Sequence, residues 1–196
     1  SITQIVRVPQ YANVTVQSGG SITADAWDGL SGSIILFRAT GKVSVESGGS
    51  ITSDGLGFRG GSPGSNEYKG EGWRGGNPPG GYPFEDPARR AQNYGGGGTY
   101  VNGTGGGYGT SGSTGDIHTA NRPPEAGAVY GNASLTKLFP GAGGGGGNHN
   151  DGGKPHGGNG GGIIFIISDS LTVASGGTIS SDGQDGYAVD GNGRFW

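Results

Sequence analysis

The 196-residue sequence contains no cysteine and no methionine. Without cysteine it has neither a disulfide framework nor a thiolate metal site, and this absence fits an exported protein. Because methionine is missing even at position 1, we expect the sequence to be a processed or excised piece. The longest apolar run covers only residues 163–167, so we do not expect a membrane-spanning protein.

Charge and apolar residues are also sparse. The net charge is −3, and the basic residues are scattered rather than clustered, so a nucleic-acid partner is not expected. The hydrophobic fraction is only 30%, whereas 50 of the residues are glycine. This composition is far from that of an ordinary globular domain, yet it lacks the strict Gly-X-Y period of collagen.

One pattern is present three times. Each copy has two short β-branched runs separated by Ser-Gly-Gly, and the copies lie at residues 14–25, 43–54 and 171–182. The alternation of apolar and polar residues has period two, which indicates strands. The glycine pair supplies the positive φ that a tight corner needs. An apolar run precedes each copy, at residues 5–8, 34–37 and 163–167.

These units predict an all-β fold, because each unit is strand, turn, strand, corner, strand. A unit of this kind cannot bury its own apolar face, so we expect the copies to stack as a short parallel β-solenoid that resembles a β-helix. Equivalent side chains should then form two inward ladders, namely Ile22, Ile51 and Ile179, and Val16, Val45 and Val173.

A glycine-rich insertion separates the second unit from the third. We divide the chain into residues 1–55 with two units, the insertion 56–162, and residues 163–196 with the third unit and a tail, together one composite domain. Two interpretations of the insertion remain open. Glycine-rich tracts of low hydrophobicity are often disordered. Alternatively, they form packed polyglycine helices of the polyproline II type, which the aromatic residues spread through the insertion favour.

Three segments carry a resemblance to a known family. Residues 41–61, residues 129–139 followed by the glycines 143–147, and residues 160–167 resemble a glycine-rich domain of large bacterial surface or secreted proteins. More loosely, the glycine tracts are similar to those of phage tail-fibre adhesins and of the glycine-rich region of the anaplastic lymphoma kinase family. The resemblance implies an extracellular structural or adhesive role and brings no catalytic residues.

Candidate metal ligands are few. Asp25, Asp54 and Asp182 recur at the same place in each unit, and a ladder of their carboxylates would suit Ca²⁺. The alternative is that each aspartate accepts hydrogen bonds from its own turn. We favour the second interpretation and predict no cofactor, with Ca²⁺ at these aspartates as the alternative. Carboxylate pairs such as Glu85 and Asp86 lie in the insertion and not on a rigid strand, so we predict no enzymatic activity.

We therefore expect a non-enzymatic structural module of a surface appendage, filament or adhesin, located outside the cell, at the cell surface or on a virion. The first alternative is an adhesin tip that binds a receptor or a cell-surface glycan. Aromatic rings would stack on sugars there, and the candidates are Trp73, Tyr82, Tyr94 and Tyr108. The second alternative is a β-helix enzyme that degrades polysaccharides.

Both ends of the predicted stack lack an evident cap. Residues 5–8 are predicted to form a bare strand, and the sequence ends on two large aromatic residues. Uncapped strand edges tend to pair with another chain. We therefore expect a homo-oligomer or filament, with Ile5, Val6, Val8, Phe195 and Trp196 as the assembly candidates.

Overall fold

The computed structural model describes residues 4–62, 70–72, 105–112, 126–131, 134, 136, 138–146 and 154–189. These residues contain strands and no helix, and hence none that is long and apolar enough to cross a membrane. The strands are β1 (Gln10–Tyr11), β2 (Val14–Val16), β3 (Ser21–Ile22), β4 (Ile34–Ala39), β5 (Lys42–Val45), β6 (Ser50–Thr52), β7 (Lys154–His156), β8 (Ile163–Ile167), β9 (Ser170–Val173), β10 (Thr178–Ser180) and β11 (Tyr187–Val189).

Three parallel sheets carry the repeated sequence. Unit 1 comprises β1 to β3, unit 2 comprises β4 to β6, and unit 3 comprises β8 to β10. Each sheet takes one strand from each unit, in the orders β1-β4-β8, β2-β5-β9 and β3-β6-β10, so unit 2 is always central. A separate antiparallel pair joins β7 to β11.

The units pair so that equivalent residues lie opposite one another. Ile51 is paired with Ile22 on one side and with Ile179 on the other. Val45 is likewise flanked by Val16 and Val173. The pairing in both predicted ladders is therefore confirmed, but burial is not complete along them, because Val173 is 43% exposed. Their register follows from the period of two, because a slip by one residue would turn every apolar side chain to the other face.

The Ser-Gly-Gly corners show why glycine recurs. The first glycine of each pair, Gly19, Gly48 or Gly176, has a φ of 76°, 76° or 82°. This left-handed conformation is rare for residues with a side chain. The ladder of hydrogen bonds continues through the corners, since Gly19 donates to the Gly48 carbonyl (2.9 Å) and Gly48 donates to that of Gly176 (2.8 Å).

The apolar core is small and centred on unit 2. Its buried members are Val16, Ile35, Phe37, Ala39, Val43, Val45 and Ile51. Side chains of units 1 and 3 pack around them and remain partly exposed. Burial is greatest in unit 2 because only this unit has a neighbour on both sides.

The sequence predicts the first strand at residues 5–8, and this prediction is wrong, because the first strand, β1, covers Gln10–Tyr11. Pro9 has no N–H to donate, and pairing begins with Gln10 opposite Arg38. Extending this register backwards would place Arg7 opposite Ile35, whose side chain is only 4% exposed. A buried, unpaired guanidinium is very unfavourable. The segment therefore does not complete the sheet.

Glycine segments of the insertion pack backbone against backbone. The N–H groups of residues 141–144 bond to four different carbonyls, those of Gly161 (2.7 Å), Gly107 (3.3 Å), Glu71 (3.0 Å) and Gly158 (2.9 Å). The N–H groups of Gly141 and Gly144, three positions apart, thus both bond to the segment 158–161, so the same neighbouring segment is reached at every third residue.

The same packing leaves no space for side chains. A Cβ atom at Gly57, Gly60, Gly70, Gly143, Gly157 or Gly160 would overlap a carbonyl group of a neighbouring segment. Glycine is therefore a steric requirement at these positions and not only a source of flexibility.

Candidate binding and assembly surfaces

The candidate metal ligands do not share one arrangement. The Asp54 carboxylate accepts a hydrogen bond from the Ser180 hydroxyl (2.7 Å) and another from the Asp182 N–H (2.7 Å). These two bonds hold the pKa of Asp54 below its usual value of 3.8. Asp25 is exposed, and its backbone carbonyl accepts from the Ser33 N–H (2.7 Å).

The Asp54 carboxylate thus links unit 2 to unit 3, so its hydrogen bonds reach beyond its own turn. Among the described residues, no three His, Asp or Glu side chains form a group that could hold a metal ion. Ca²⁺ binding at Asp25, Asp54 and Asp182 stays the alternative to the prediction of no cofactor. An aspartate that accepts hydrogen bonds from its own turn occurs at a different position, Asp28. Its carboxylate accepts from the N–H groups of Leu30 and Ser31 (2.7 Å each). The Ser31 and Leu30 bonds lower the pKa of Asp28.

Of the candidate sugar-binding aromatics, only Tyr108 is described. Its ring lies edge-on to Tyr130 at a centroid distance of 5.3 Å, and Tyr130 also contacts Phe139. The Tyr130 hydroxyl donates to the Pro140 carbonyl, and burial raises its pKa. These rings form a small apolar cluster. Trp73, Tyr82 and Tyr94 lie outside the described residues.

One end of the stack exposes apolar side chains. We call the free sides of β8, β9 and β10 the unit-3 edge; no described strand pairs with them. Leu171 and Val173 are 50% and 43% exposed there, whereas the equivalent Val43 and Val45 of unit 2 are 0% and 1% exposed. At the unit-3 edge no described strand covers these two side chains, whereas Val43 and Val45 lie between two strands.

The other end carries an apolar groove, which we call the end groove. It has a volume of about 580 Å³ and is lined by residues that include Val6, Tyr11, Val14, Ile22, Ile35 and Phe37. The groove lies where the first strand of unit 1 is short, because β1 covers only Arg38 and Ala39 of β4. Unit 3 pairs with five residues of the same strand.

The assembly candidates at this end are described, and those at the other terminus are not. Ile5 is 94% exposed, Val6 lines the end groove, and Val8 is exposed. Phe195 and Trp196 lie outside the described residues.

Sequence reasoning missed two groups of residues. The β7–β11 pair stacks the His156 ring on Tyr187 at 4.5 Å, and burial lowers the His156 pKa. Tyr11 was not singled out either, although it lines the end groove and packs edge-on against Phe37. The register that places Tyr11 there depends on the length of the corner at residues 12–13, which no local pattern reveals.

Comparisons of the chain with protein-family models, with curated proteins and with solved structures find no match.

Proposed function

We propose that the protein is a non-enzymatic structural module: a short β-solenoid that carries packed polyglycine and joins copies of itself end to end. The observation that carries this proposal is the in-register pairing of three equivalent units into parallel sheets, whose two outer edges pair with no strand of the described residues. Repeats stacked in this way form a quasi-one-dimensional body, whose uncovered ends favour further stacking.

The polyglycine part of the proposal rests on hydrogen bonds with a period of three. In a polyproline II helix, successive residues point in three directions and the pattern repeats at every third residue. The Gly141 and Gly144 donors both reach one neighbouring segment, and the two residues between them bond to other segments. These contacts are possible because glycine has no side chain that would block them. We infer that the segments form a closely packed support beside the sheets.

We also propose an extracellular location, at a cell or virion surface. The lack of cysteine and the resemblance to glycine-rich domains of bacterial surface proteins support it. A structural role needs no reacting group. In keeping with this role, the carboxylates with lowered pKa values among the described residues, those of Asp54 and Asp28, bond to neighbouring backbone and serine groups.

Sedimentation velocity over a wide range of protein concentrations, together with electron microscopy, tests the proposal. We expect concentration-dependent oligomers that extend into filaments. Val173→Lys should suppress them, because it places a charge in the unit-3 edge, where the side chain of a monomer can still reach water. Thr40→Lys, at an exposed position of the central unit 2 and away from both end edges, is the control and should assemble. A wild-type protein that stays monomeric throughout would refute self-assembly.

A further inference from the structure

The two end units of the stack are copies of one repeat. Val43 pairs with Val14 on one side and with Leu171 on the other. Ser44 is flanked in the same way by Thr15 and Thr172, and Ile51 by Ile22 and Ile179. Units 1 and 3 therefore both fit the same central unit, from opposite sides and in the same register.

The corners show that the ends are complementary and not merely alike. Along the stack, the Gly19 N–H donates to the Gly48 carbonyl and the Gly48 N–H donates to the Gly176 carbonyl. In the opposite direction, the Glu46 N–H donates to the Val16 carbonyl and the Ala174 N–H to the Val45 carbonyl. Each layer thus offers both donors and acceptors to the next one.

The same alternation leaves matching groups at the two ends. The Gly176 N–H follows Gly48 in the series and faces the unit-3 edge, where a Gly19 carbonyl would continue it. The Val173 carbonyl faces that edge as well, and the Gln17 N–H is the donor in the corresponding position of unit 1. No described strand occupies either edge. These donors and acceptors have the spacing of the bonds already formed within the chain.

We propose that the unit-3 edge of one copy takes up unit 1 of a second copy as its next parallel layer, with Leu171 opposite Val14, Thr172 opposite Thr15 and Ile179 opposite Ile22. This inference rests on the self-assembly proposed above and specifies its joint. A second copy is the occupant because the outer edge of its unit 1 carries the Gln17 N–H and the Gly19 carbonyl. These groups are the counterparts of the Ala174 N–H and the Gly176 carbonyl, with which unit 3 bonds to unit 2. The end groove lies opposite β8 in this joint, so Ile164 and Ile166 face it.

The joint is heterologous, because it uses different surfaces of the two copies. Such a contact propagates into a fibre or closes into a ring, whereas a two-fold dimer would join identical surfaces. The proposal therefore predicts a contact between Thr15 and Thr172 of different copies, and none between two Thr172 residues.

Single cysteines test this prediction in a protein that has none of its own. Directly opposed residues on neighbouring strands lie about 4.8 Å apart, within the Cα range of a disulfide. Within one chain, Thr15 and Thr172 are separated by the intervening Ser44 and lie about twice as far apart, beyond that range. Mixing Thr15→Cys protein with Thr172→Cys protein under mild oxidation should yield a covalent dimer, and neither variant should yield one alone.

Two controls fix the register. The double variant Thr15→Cys/Ser44→Cys should form an intrachain disulfide, because these residues are paired within the chain. Ala174→Cys, two residues along the same face, should cross-link poorly to Thr15→Cys, since diagonal neighbours lie about 7–8 Å apart. The dimers are read on non-reducing gels, and the linked residues are identified by mass spectrometry.

The outcomes separate the joint from self-assembly. Preferred cross-linking of Thr15→Cys to Ala174→Cys, or dimers of Thr172→Cys alone, would overturn the proposed joint. Oligomers in sedimentation without any cross-link between Thr15→Cys and Thr172→Cys would also overturn the joint and leave self-assembly standing. Monomers at every concentration would overturn both.

Discussion

At the scale of single residues, a few polar side chains connect neighbouring units through hydrogen bonds at the corners. The Asp54 carboxylate binds Ser180 and the Asp182 N–H and so connects unit 2 to unit 3 at a corner. Asn13 has a similar role between units 1 and 2. Its side-chain oxygen accepts the Lys42 N–H (2.8 Å), where the corner of unit 1 is one residue shorter than that of unit 2.

Removing the Asp54 carboxylate tests this connection. Asp54→Ala should lower the free energy of unfolding at pH 7 by about 1 kcal/mol, since two hydrogen bonds are lost from an exposed, water-screened site. Asp25→Ala is the control at the equivalent position of unit 1 and should have little effect. Urea denaturation of both variants measures the difference.

The effect of Asp54→Ala should also depend on pH. The folded-state pKa of Asp54 is lower than its usual value of 3.8, so the carboxylate stabilises the fold above that value. This contribution is lost as the pH falls through the folded-state pKa. The gap between wild type and variant should therefore be constant near neutral pH and narrow below pH 3.8. A gap that widens in acid would contradict the assignment.

Ser53 provides the opposite case. Its hydroxyl is fully buried and has no hydrogen-bond partner among the described residues. Burying an unpaired hydroxyl is unfavourable, so Ser53→Ala should leave stability unchanged or raise it by up to about 1 kcal/mol. Ser50→Ala is the comparison, because it removes a hydroxyl that bonds to Ser21 (3.0 Å) and should be mildly destabilising. Thermal unfolding of both variants measures the difference in stability. A marked loss of stability in Ser53→Ala alone would contradict the interpretation that the Ser53 hydroxyl is buried and unpaired.

At the scale of elements, the sequence predicts the repeated strands well because their information is local. Period-two alternation and the Ser-Gly-Gly corner define each unit, and three similar copies define how the units pair. The position of β1 was not predictable in this way. It depends on Pro9, on the short corner beside Asn13 and on the cost of burying Arg7, and these effects appear only when the register is known.

The packing of the glycine segments could not be predicted from the sequence, for a different reason. Glycine has no side chain, so a glycine tract carries no apolar pattern that specifies its neighbours. The pairing of residues 141–144 with four separate partners is therefore not encoded in any local motif. The aromatic residues of the insertion are the one signal, and Tyr108, Tyr130 and Phe139 do cluster. Their clustering also explains why Tyr108 is a poor choice for an open sugar-stacking surface.

A methyl group distinguishes packed glycines from free ones. Gly143→Ala should destabilise the protein by about 2 kcal/mol or more, because the added Cβ overlaps the Arg59 carbonyl. Gly109→Ala is the control, since nothing lies within 4 Å of its Cβ position. Equal stability of the two variants in urea denaturation would show that the tract around Gly143 does not depend on close backbone contact.

The isoleucine ladder tests the stacking of the units. Ile51→Ala should cost about 2–5 kcal/mol, because this side chain is fully buried between two neighbours. Ile179→Ala removes the same atoms from the partly exposed end of the ladder and should cost clearly less in the monomer. Guanidinium denaturation at low protein concentration gives both values, and an equal loss at the two positions would contradict the central place of unit 2.

At the scale of the whole molecule, the proposed function depends on the open ends. The apolar side chains of the unit-3 edge and the end groove are at opposite ends of one stack, and no strand of the described residues pairs with either end. A head-to-tail array supplies both neighbours with one kind of contact and continues the three parallel sheets from copy to copy. The strands then run across the fibre axis.

The repeat distance along an assembled fibre tests the account most directly. Neighbouring strands are spaced by about 4.8 Å, so the three layers of each copy should advance the fibre by about 14 Å. Electron cryomicroscopy or fibre diffraction of the assembled protein should show a 4.8 Å spacing along the axis and a rise of about 14 Å per copy. An axial rise unrelated to three strand layers, or strands that run parallel to the axis, would contradict it.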